Sequence, residues 1–180
     1  MNPTANTSAP AATATLRGLQ AGDLGWVVSR HGLLYAQEYG WDMRFEALVA
    51  RIAANYLDQL DPARECAWVA EVDGQPAGCV FVVQARQDDT GQADPGTAQL
   101  RLLLVEPWAR GRGVGKTLSA ACEHFARAAG YKRMRLWTNS LLLAARGIYQ
   151  AAGYRLIASE PHHSFGHELV GEIWEKDLDR

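Results

Sequence analysis

The chain has little of what marks a stapled, metal-bound or membrane-inserted protein. Its 180 residues hold three cysteines, Cys66, Cys79 and Cys122, an odd set without a C-x-x-C pair. Each sits in an apolar segment, where a buried free thiol is the ordinary state, so neither disulfides nor a zinc site are expected. Lys and Arg number 18 against 20 acidic residues, the net charge is −2, and no basic run stands out. Nucleic-acid binding driven by charge therefore has no support. No apolar stretch approaches the roughly 18 residues of a membrane span. The amino terminus, MNPTANTSAPAATAT, has neither the basic start nor the apolar core of a secretory signal. Its composition predicts a flexible tail over residues 1–13, followed by one domain over 14–180, and the chain reads as cytoplasmic.

What is present is a globular pattern, 48 % apolar with six Trp. TATLRGLQ (13–20) reads as a first strand. Asp23 is placed to cap a helix running to Gly40, and Asp42 to cap a second, with Phe45, Leu48, Val49, Ile52 and Tyr56 on one stripe. CAWVAEV (66–72) and AGCVFVVQA (77–85) flank a hairpin signal, Asp73-Gly74-Gln75-Pro76. The stretch between Arg86 and Gly96 reads as a polar loop. QLRLLLVEP (99–107) is a buried strand running straight into RGRGVGKT. A helix over 113–129, a strand over 131–139, a helix over 141–152, a strand over 154–160, a loop PHHSFGH and a final strand from Leu169 complete the order. The expected fold is a mixed α/β domain with a mostly antiparallel sheet of about seven strands and about four helices.

RGRGVGKT ends like a nucleotide-binding P-loop, but counting excludes that site. A P-loop needs its first glycine six positions before the lysine, and that position holds Arg110. The dinucleotide fingerprint G-x-G-x-x-G fails too, since its third glycine would fall on Lys116 or Leu118. What remains is R-x-x-G-x-G, carried by Arg110, Gly113 and Gly115, opening a helix directly after a strand. Glycines let backbone N–H groups approach a ligand, a helix N-terminus favours negative charge, and Arg112 and Lys116 add cations. A pyrophosphate suits such a loop.

VEPWARGRGVGKTL and, further on, ARGIYQAAGYRL together resemble the GNAT superfamily of N-acetyltransferases, the second motif through Ala145, Ile148, Tyr149, Gly153 and Tyr154. The element order resembles that family over roughly residues 13–178. A narrower resemblance links HGLLYAQEYGW, LWTNS and EPHHSFGHELVG to acetyltransferase domains appended to MarR-type regulators; no winged-helix segment is read in these 180 residues, so this chain is expected to be a stand-alone version. The resemblance implies acetyl-CoA as donor, no metal, a primary amine of a small molecule or peptide as acceptor, and a homodimer as the family-level expectation. An acyl-CoA-binding sensor with weak or no catalysis is the competing expectation.

The resemblance also distributes roles. Leu103, Leu104 and Val105 on the strand, then Arg110, Gly111, Arg112, Gly113, Val114, Gly115, Lys116 and Thr117, are expected to hold the coenzyme, with Tyr149 as general acid. Two positions depart from the family pattern. Gln99 stands where many members carry a general-base Glu, and an amide accepts no proton at neutral pH. Leu142 stands where an Asn often holds the coenzyme, and nearby Asn139 is a substitute. Glu38 is a candidate base, against the plainer reading of a solvated helix-end carboxylate; Glu106, beside Pro107, is expected to turn to solvent. Tyr35, Tyr39, Trp41 and His163 are candidate acceptor contacts. His163 and His167 have i,i+4 spacing, but Pro161 and Gly166 argue against the helix that a metal site would need.

Overall fold

The computed structural model describes residues 14–87 and 91–178. The expected tail over 1–13 lies outside them. The elements are β1 (Thr15–Arg17), α1 (Asp23–Tyr39), α2 (Met43–Asp58), β2 (Cys66–Val72), β3 (Gln75–Arg86), β4 (Ala93–Val105), a short 3-10 turn (Pro107–Ala109), α3 (Val114–Ala128), β5 (Arg133–Asn139), α4 (Leu143–Ala151), β6 (Arg155–Ser164) and β7 (His167–Asp177). Seven strands form one sheet in the order β1-β2-β3-β4-β5-β7-β6. Every neighbouring pair is antiparallel except β4 with β5. The mixed, mostly antiparallel architecture is thus the expected one. No helix among the described residues is long and apolar enough to cross a membrane.

Alternation along the strands makes two cores, one per face of the sheet. On one face α3 lays Val114, Leu118, Cys122 and Ala126 against Val80, Val82, Ala98, Leu100 and Leu136. On the other, α1 and α2 cover Cys79, Phe81 and Leu104 with Val27, Leu34, Val49 and Tyr56. The cysteines are all free thiols, Cys79 and Cys122 buried.

Local signals act mostly as their chemistry dictates. Gly40 ends α1 in the left-handed conformation (φ 71°) and Asp42 caps α2 by accepting the Arg44 N–H at 3.0 Å. The β2–β3 turn tightens to Asp73-Gly74, both at positive φ (52° and 74°), the two-residue form that matches strand twist.

Four expectations need correction. Asp23 is not the cap of α1: Gly22 takes that place at φ 98°, and Asp23 begins the helix with its carboxylate accepting the Gln20 N–H and pairing with Arg17 at 2.6 Å. β4 starts at Ala93, because Arg86 pairs across to Ala93 and the polar stretch becomes strand on both sides of a short connection. PHHSFGH is not a loop: Pro161–Ser164 continue β6, an edge strand where proline costs no ladder bond, and Phe165-Gly166 turn directly into β7. Glu106 does not face solvent: it is 4 % exposed and both its oxygens accept from Arg30 of α1, at 2.5 and 2.8 Å.

That last pair fastens α1 to the exit of β4. A buried carboxylate survives only when paired, and losing one partner of such a pair strands the other. Glu106→Ala is expected to destabilise the domain by about 2–3 kcal/mol, near the low end for such losses because Arg30 keeps some solvent. Urea unfolding checks this through a lowered midpoint at unchanged slope.

Candidate functional site

The site begins with a fault in the sheet. Across β3–β4, Cys79 pairs with Leu104 and Phe81 with Arg101, so Val80 alone faces both Leu102 and Leu103. This is a β-bulge, and Leu102 sits in it at φ 52°, a conformation that β-branched or bulky residues avoid. The Cys79 thiol donates to the Leu102 carbonyl at 3.3 Å and helps hold it. The bulge shifts the alternation: Gln99 and Arg101 line the cavity under α1 and α2, and beyond the bulge it is Leu102 and Leu104 that pack on that side. The parallel pairing of β4 with β5 covers only Thr97–Leu100 and Arg133–Leu136. Past it the two strands part, and the Leu103–Val105 backbone has no β5 partner.

A groove of about 390 Å³ opens at that gap, between α1, the end of β4, the loop and α4. Its wall includes Leu103–Val105, Arg110, Gly111, Gly113, Val114, Gly115 and Lys116, so most of the expected coenzyme residues are brought together. Arg112 and Thr117 do not line it. Gly111 and Gly113 take positive φ (76° and 78°), turning the chain into α3. Gly113 caps α3 without a side chain, and Thr117 is the first residue whose N–H finds a carbonyl, that of Gly113 at 3.0 Å. The N–H groups of the first turn, Val114 to Lys116, have no intrahelical acceptor and lie at the positive end of the helix dipole. Gly115 is needed for a different reason: a Cβ there would stand 2.6 Å from Ile148 Cδ1. Its missing side chain lets α3 close on α4.

Arg110 and Glu38 meet at the mouth of the groove. The guanidinium donates to both carboxylate oxygens, at 2.6 and 3.1 Å, and its Nε donates to the Val105 carbonyl at 3.3 Å. Arg110 thus braces the loop against α1, and Glu38, with both oxygens engaged, is a brace more than a free base.

A second cavity of about 540 Å³ lies on the far side of the gap, between α1–α2 and the β4–β5 face. Tyr35, Leu103, Leu142 and Ala145 border both spaces. Tyr149 lines the second cavity and is 4 % exposed. Burial pushes its phenol well above the ordinary tyrosine range, so the hydroxyl keeps its proton at neutral pH, and it has no hydrogen-bond partner among the described residues. Gln99 and Trp41 line the same cavity; Tyr39 lines the groove instead. Trp41 is buried in a cluster with Tyr35, Phe45 and Phe165, which makes it chiefly a wall.

Two expected residues are displaced from their roles. Asn139 is 1 % exposed and lines the second cavity, not the groove, with its Oδ1 3.0 Å from His162 Nε2. His163 points elsewhere: it lies on the outer side of β6, with Nδ1 2.7 Å from Glu168 Oε1. Alternation on β6 turns His162 inward and His163 outward, which a loop reading could not anticipate.

Two residues escaped the sequence reading. His31, buried on α1, holds its Nδ1 2.8 Å from the Val27 carbonyl. A carbonyl only accepts, so Nδ1 carries the proton and Nε2 is left with an unpartnered lone pair. Burial lowers its pKa to about 4. The other is Arg101, a cation inside the second cavity. An apolar helix face gave the first no signal. An arginine amid LRLLLV was the visible signal for the second.

A groove that ends on unpaired N–H groups at a helix N-terminus can take an anionic group of a ligand, and comparison with known proteins identifies the family. Residues 34–154 match the acetyltransferase (GNAT) family, and the chain belongs to it. It is 33 % identical over 109 residues to N-acetylaspartate synthetase of Danio rerio, covering 61 % of this chain and 35 % of that protein. It is 30 % identical over 142 residues to human N-acetyltransferase 8B, covering 77 % and 54 %. The chain thus spans about a third to a half of these curated relatives. In fold it is similar to yncA from Salmonella typhimurium, solved with its cofactor acetyl-CoA (TM-score 0.74, 21 % identity, 93 % and 95 % covered). An N-acetyltransferase from Staphylococcus aureus Mu50 is similarly related (TM-score 0.75, 19 % identity, 93 % and 100 % covered).

Two outcomes follow from this geometry. Gly115→Ala is expected to cost about 1–3 kcal/mol by forcing Ile148 aside, and adding Ile148→Val, which deletes the clashing Cδ1, should recover part of it in thermal melts. For His31, the folded pKa lies below the unfolded value, so its contribution is complete above about pH 6.5 and is lost as pH falls toward 4. Urea midpoints from pH 7 to 4 should fall less steeply in a folded His31→Gln variant than in the parent.

Proposed function

We propose that this chain transfers an acetyl group from acetyl-CoA to a primary amine of a small molecule or peptide, directly and without a metal. The observation that carries the proposal is the groove at the β4–β5 gap, which ends on the unpaired N–H groups of Val114 to Lys116. Those donors fit a pyrophosphate, and the Leu103–Val105 backbone, open on the side where β5 has parted, fits the pantetheine amides beside it. The acyl-CoA supplies an activated acetyl thioester.

The chain's own groups supply the rest. The acceptor amine must lose a proton before its nitrogen bonds to the acetyl carbon and the carbon–sulfur bond breaks. Gln99 takes no proton, Glu38 is engaged by Arg110, and a buried His31 with pKa about 4 is a weak base. Water entering the second cavity, alone or as a relay to the exposed Glu160 carboxylate at its edge, is the route this leaves for the amine proton. A backbone N–H of the Leu103–Val105 stretch donates to the oxygen that gains charge. Tyr149, held protonated by burial, donates to the departing sulfur. A coenzyme-binding sensor is the second reading, favoured specifically by Gln99. Kinship with the domains appended to MarR-type regulators, a homodimer and a cytoplasmic setting are further parts of the proposal; the first rests on the stretches that suggested it.

Acetyl-CoA and CoA, but not ATP, should raise the melting temperature, and thiol release should then appear with an amine. Tyr149→Phe should lower kcat by about 10²- to 10⁴-fold while leaving coenzyme affinity unchanged. Stabilisation by ATP alone defeats the proposal; acetyl-CoA binding without turnover across a broad amine panel selects the sensor.

A further inference from the structure

The cavity under α1 and α2 holds a charge that nothing answers. Arg101 stands on β4 opposite Phe81, one residue before the bulge, with its side chain part-buried beneath α1, α2 and their connection, which contribute Tyr35, Phe45 and Trp41 to the wall. Every other part-buried arginine among the described residues has a partner. Arg17 holds Asp23, Arg30 holds Glu106, Arg64 donates to two backbone carbonyls, Arg135 holds Glu175 and Arg146 holds Glu172. Arg101 has no ion pair, hydrogen bond or stacked ring among the described residues, and burial alone pulls its guanidinium below the ordinary value.

A guanidinium partly withdrawn from water and left without an anion is costly. The neighbouring groups do not offset it. Gln99 is neutral, His31 is neutral with its lone pair turned to no donor, and Arg135 in the same cavity is already neutralised by Glu175. The one free carboxylate lining the cavity is Glu160, exposed at the edge contributed by β6. The pyrophosphate-type site lies on the other side of the gap, so it is not the missing anion.

Given the transferase reading, on which this step rests, we infer that the acceptor is an amino acid: a primary amine carrying a carboxylate, which Arg101 binds while the amine faces the β4–β5 gap. The planar fork of arginine matches a carboxylate through two parallel N–H bonds, a geometry lysine does not offer. Binding then does two things at once. It fills the unpaired valence of Arg101, and it anchors the acceptor at a fixed distance from the end of the groove. Uncharged amines of the same shape would leave the cation unanswered and be rejected for that reason.

The test compares matched acceptors that differ in the carboxylate: L-phenylalanine, L-phenylalaninamide and 2-phenylethylamine; L-leucine and 3-methylbutylamine; with O-phosphoethanolamine as the phosphate arm. The carboxylate-bearing member should be favoured by about 10- to 100-fold in kcat/KM, as for other charge-assisted contacts. Arg101→Gln should raise its KM by a similar factor, erase the preference between pair members, and leave acetyl-CoA affinity unchanged; Arg101→Lys should restore part of the preference. In parallel, CoA-loaded protein should be stabilised against heat by N-acetyl-L-phenylalanine more than by N-acetyl-2-phenylethylamine, in the parent and not in Arg101→Gln. Equal use of both pair members, equal damage to both by Arg101→Gln, or preference for the phosphate arm overturns the inference while the transferase reading stands. Absence of turnover on every amine defeats that reading instead, and the product-binding arm then decides the Arg101 site by itself.

Discussion

Everything that gives this molecule a site depends on the bulge at Leu102. A non-glycine residue at positive φ costs on the order of 1 kcal/mol or more, and the fold keeps it. Without it, β4 would continue its pairing with β5 and its alternation would run unbroken. The gap at Leu103–Val105 would close, and the groove and the cavity would become one continuous sheet. With it, the backbone of Leu103–Val105 is freed on one side, and the face seen by the second cavity changes from polar Gln99 and Arg101 to apolar Leu102 and Leu104. A single extra residue therefore opens both the groove and the second cavity and sets the chemistry of each.

Around that fault, α1 acts as a clamp. Arg30 of α1 reaches down to Glu106, and Glu38 of the same helix receives Arg110. The two ion pairs sit at either end of the short 3-10 turn that leads from β4 into the loop. They have opposite polarity, with the helix giving a cation to one and an anion to the other. The pairs differ in worth: Glu106 is buried, whereas Arg110 is largely exposed and its pair is correspondingly screened. The first fixes the strand exit; the second allows the mouth of the groove to adjust. Since Tyr35 of the same helix borders both spaces, a shift of α1 is felt by the groove and the second cavity alike.

What the sequence made legible was local chemistry with a fixed period or spacing. The order of elements, the Asp73-Gly74 turn, the Gly40 and Asp42 caps and the glycine-rich start of α3 all follow from signals a few residues long. The bulge had no such signal, because Leu102 occupies a conformation usually announced by glycine. Glu106 was misjudged because its partner lies 76 residues earlier. His163 was chosen over His162 because the segment was read as loop, where alternation has no meaning; as strand, the inward residue is His162. Asn139 lines the second cavity and not the groove, a placement that depends on where β4 and β5 part. In each case the missing information was a tertiary pairing.

The groove and the second cavity differ in what lines them. The groove uses backbone N–H groups and a helix end, which any side chains of suitable size could surround, so its recognition is carried by glycine positions and conformational limits. The second cavity is lined by side chains, whereas the strand pairing is made by backbone groups. Gln99 and Arg101 show this directly: both lie on the stretch of β4 that pairs with β3, and Gln99 also faces β5, yet neither side chain is needed for that pairing. A sheet can thus hold its pairing, and the groove that depends on it, constant while the charge facing the second cavity is changed one residue at a time. By the same reasoning, low overall identity to solved relatives is compatible with a shared groove. It carries no implication that the acceptor is shared.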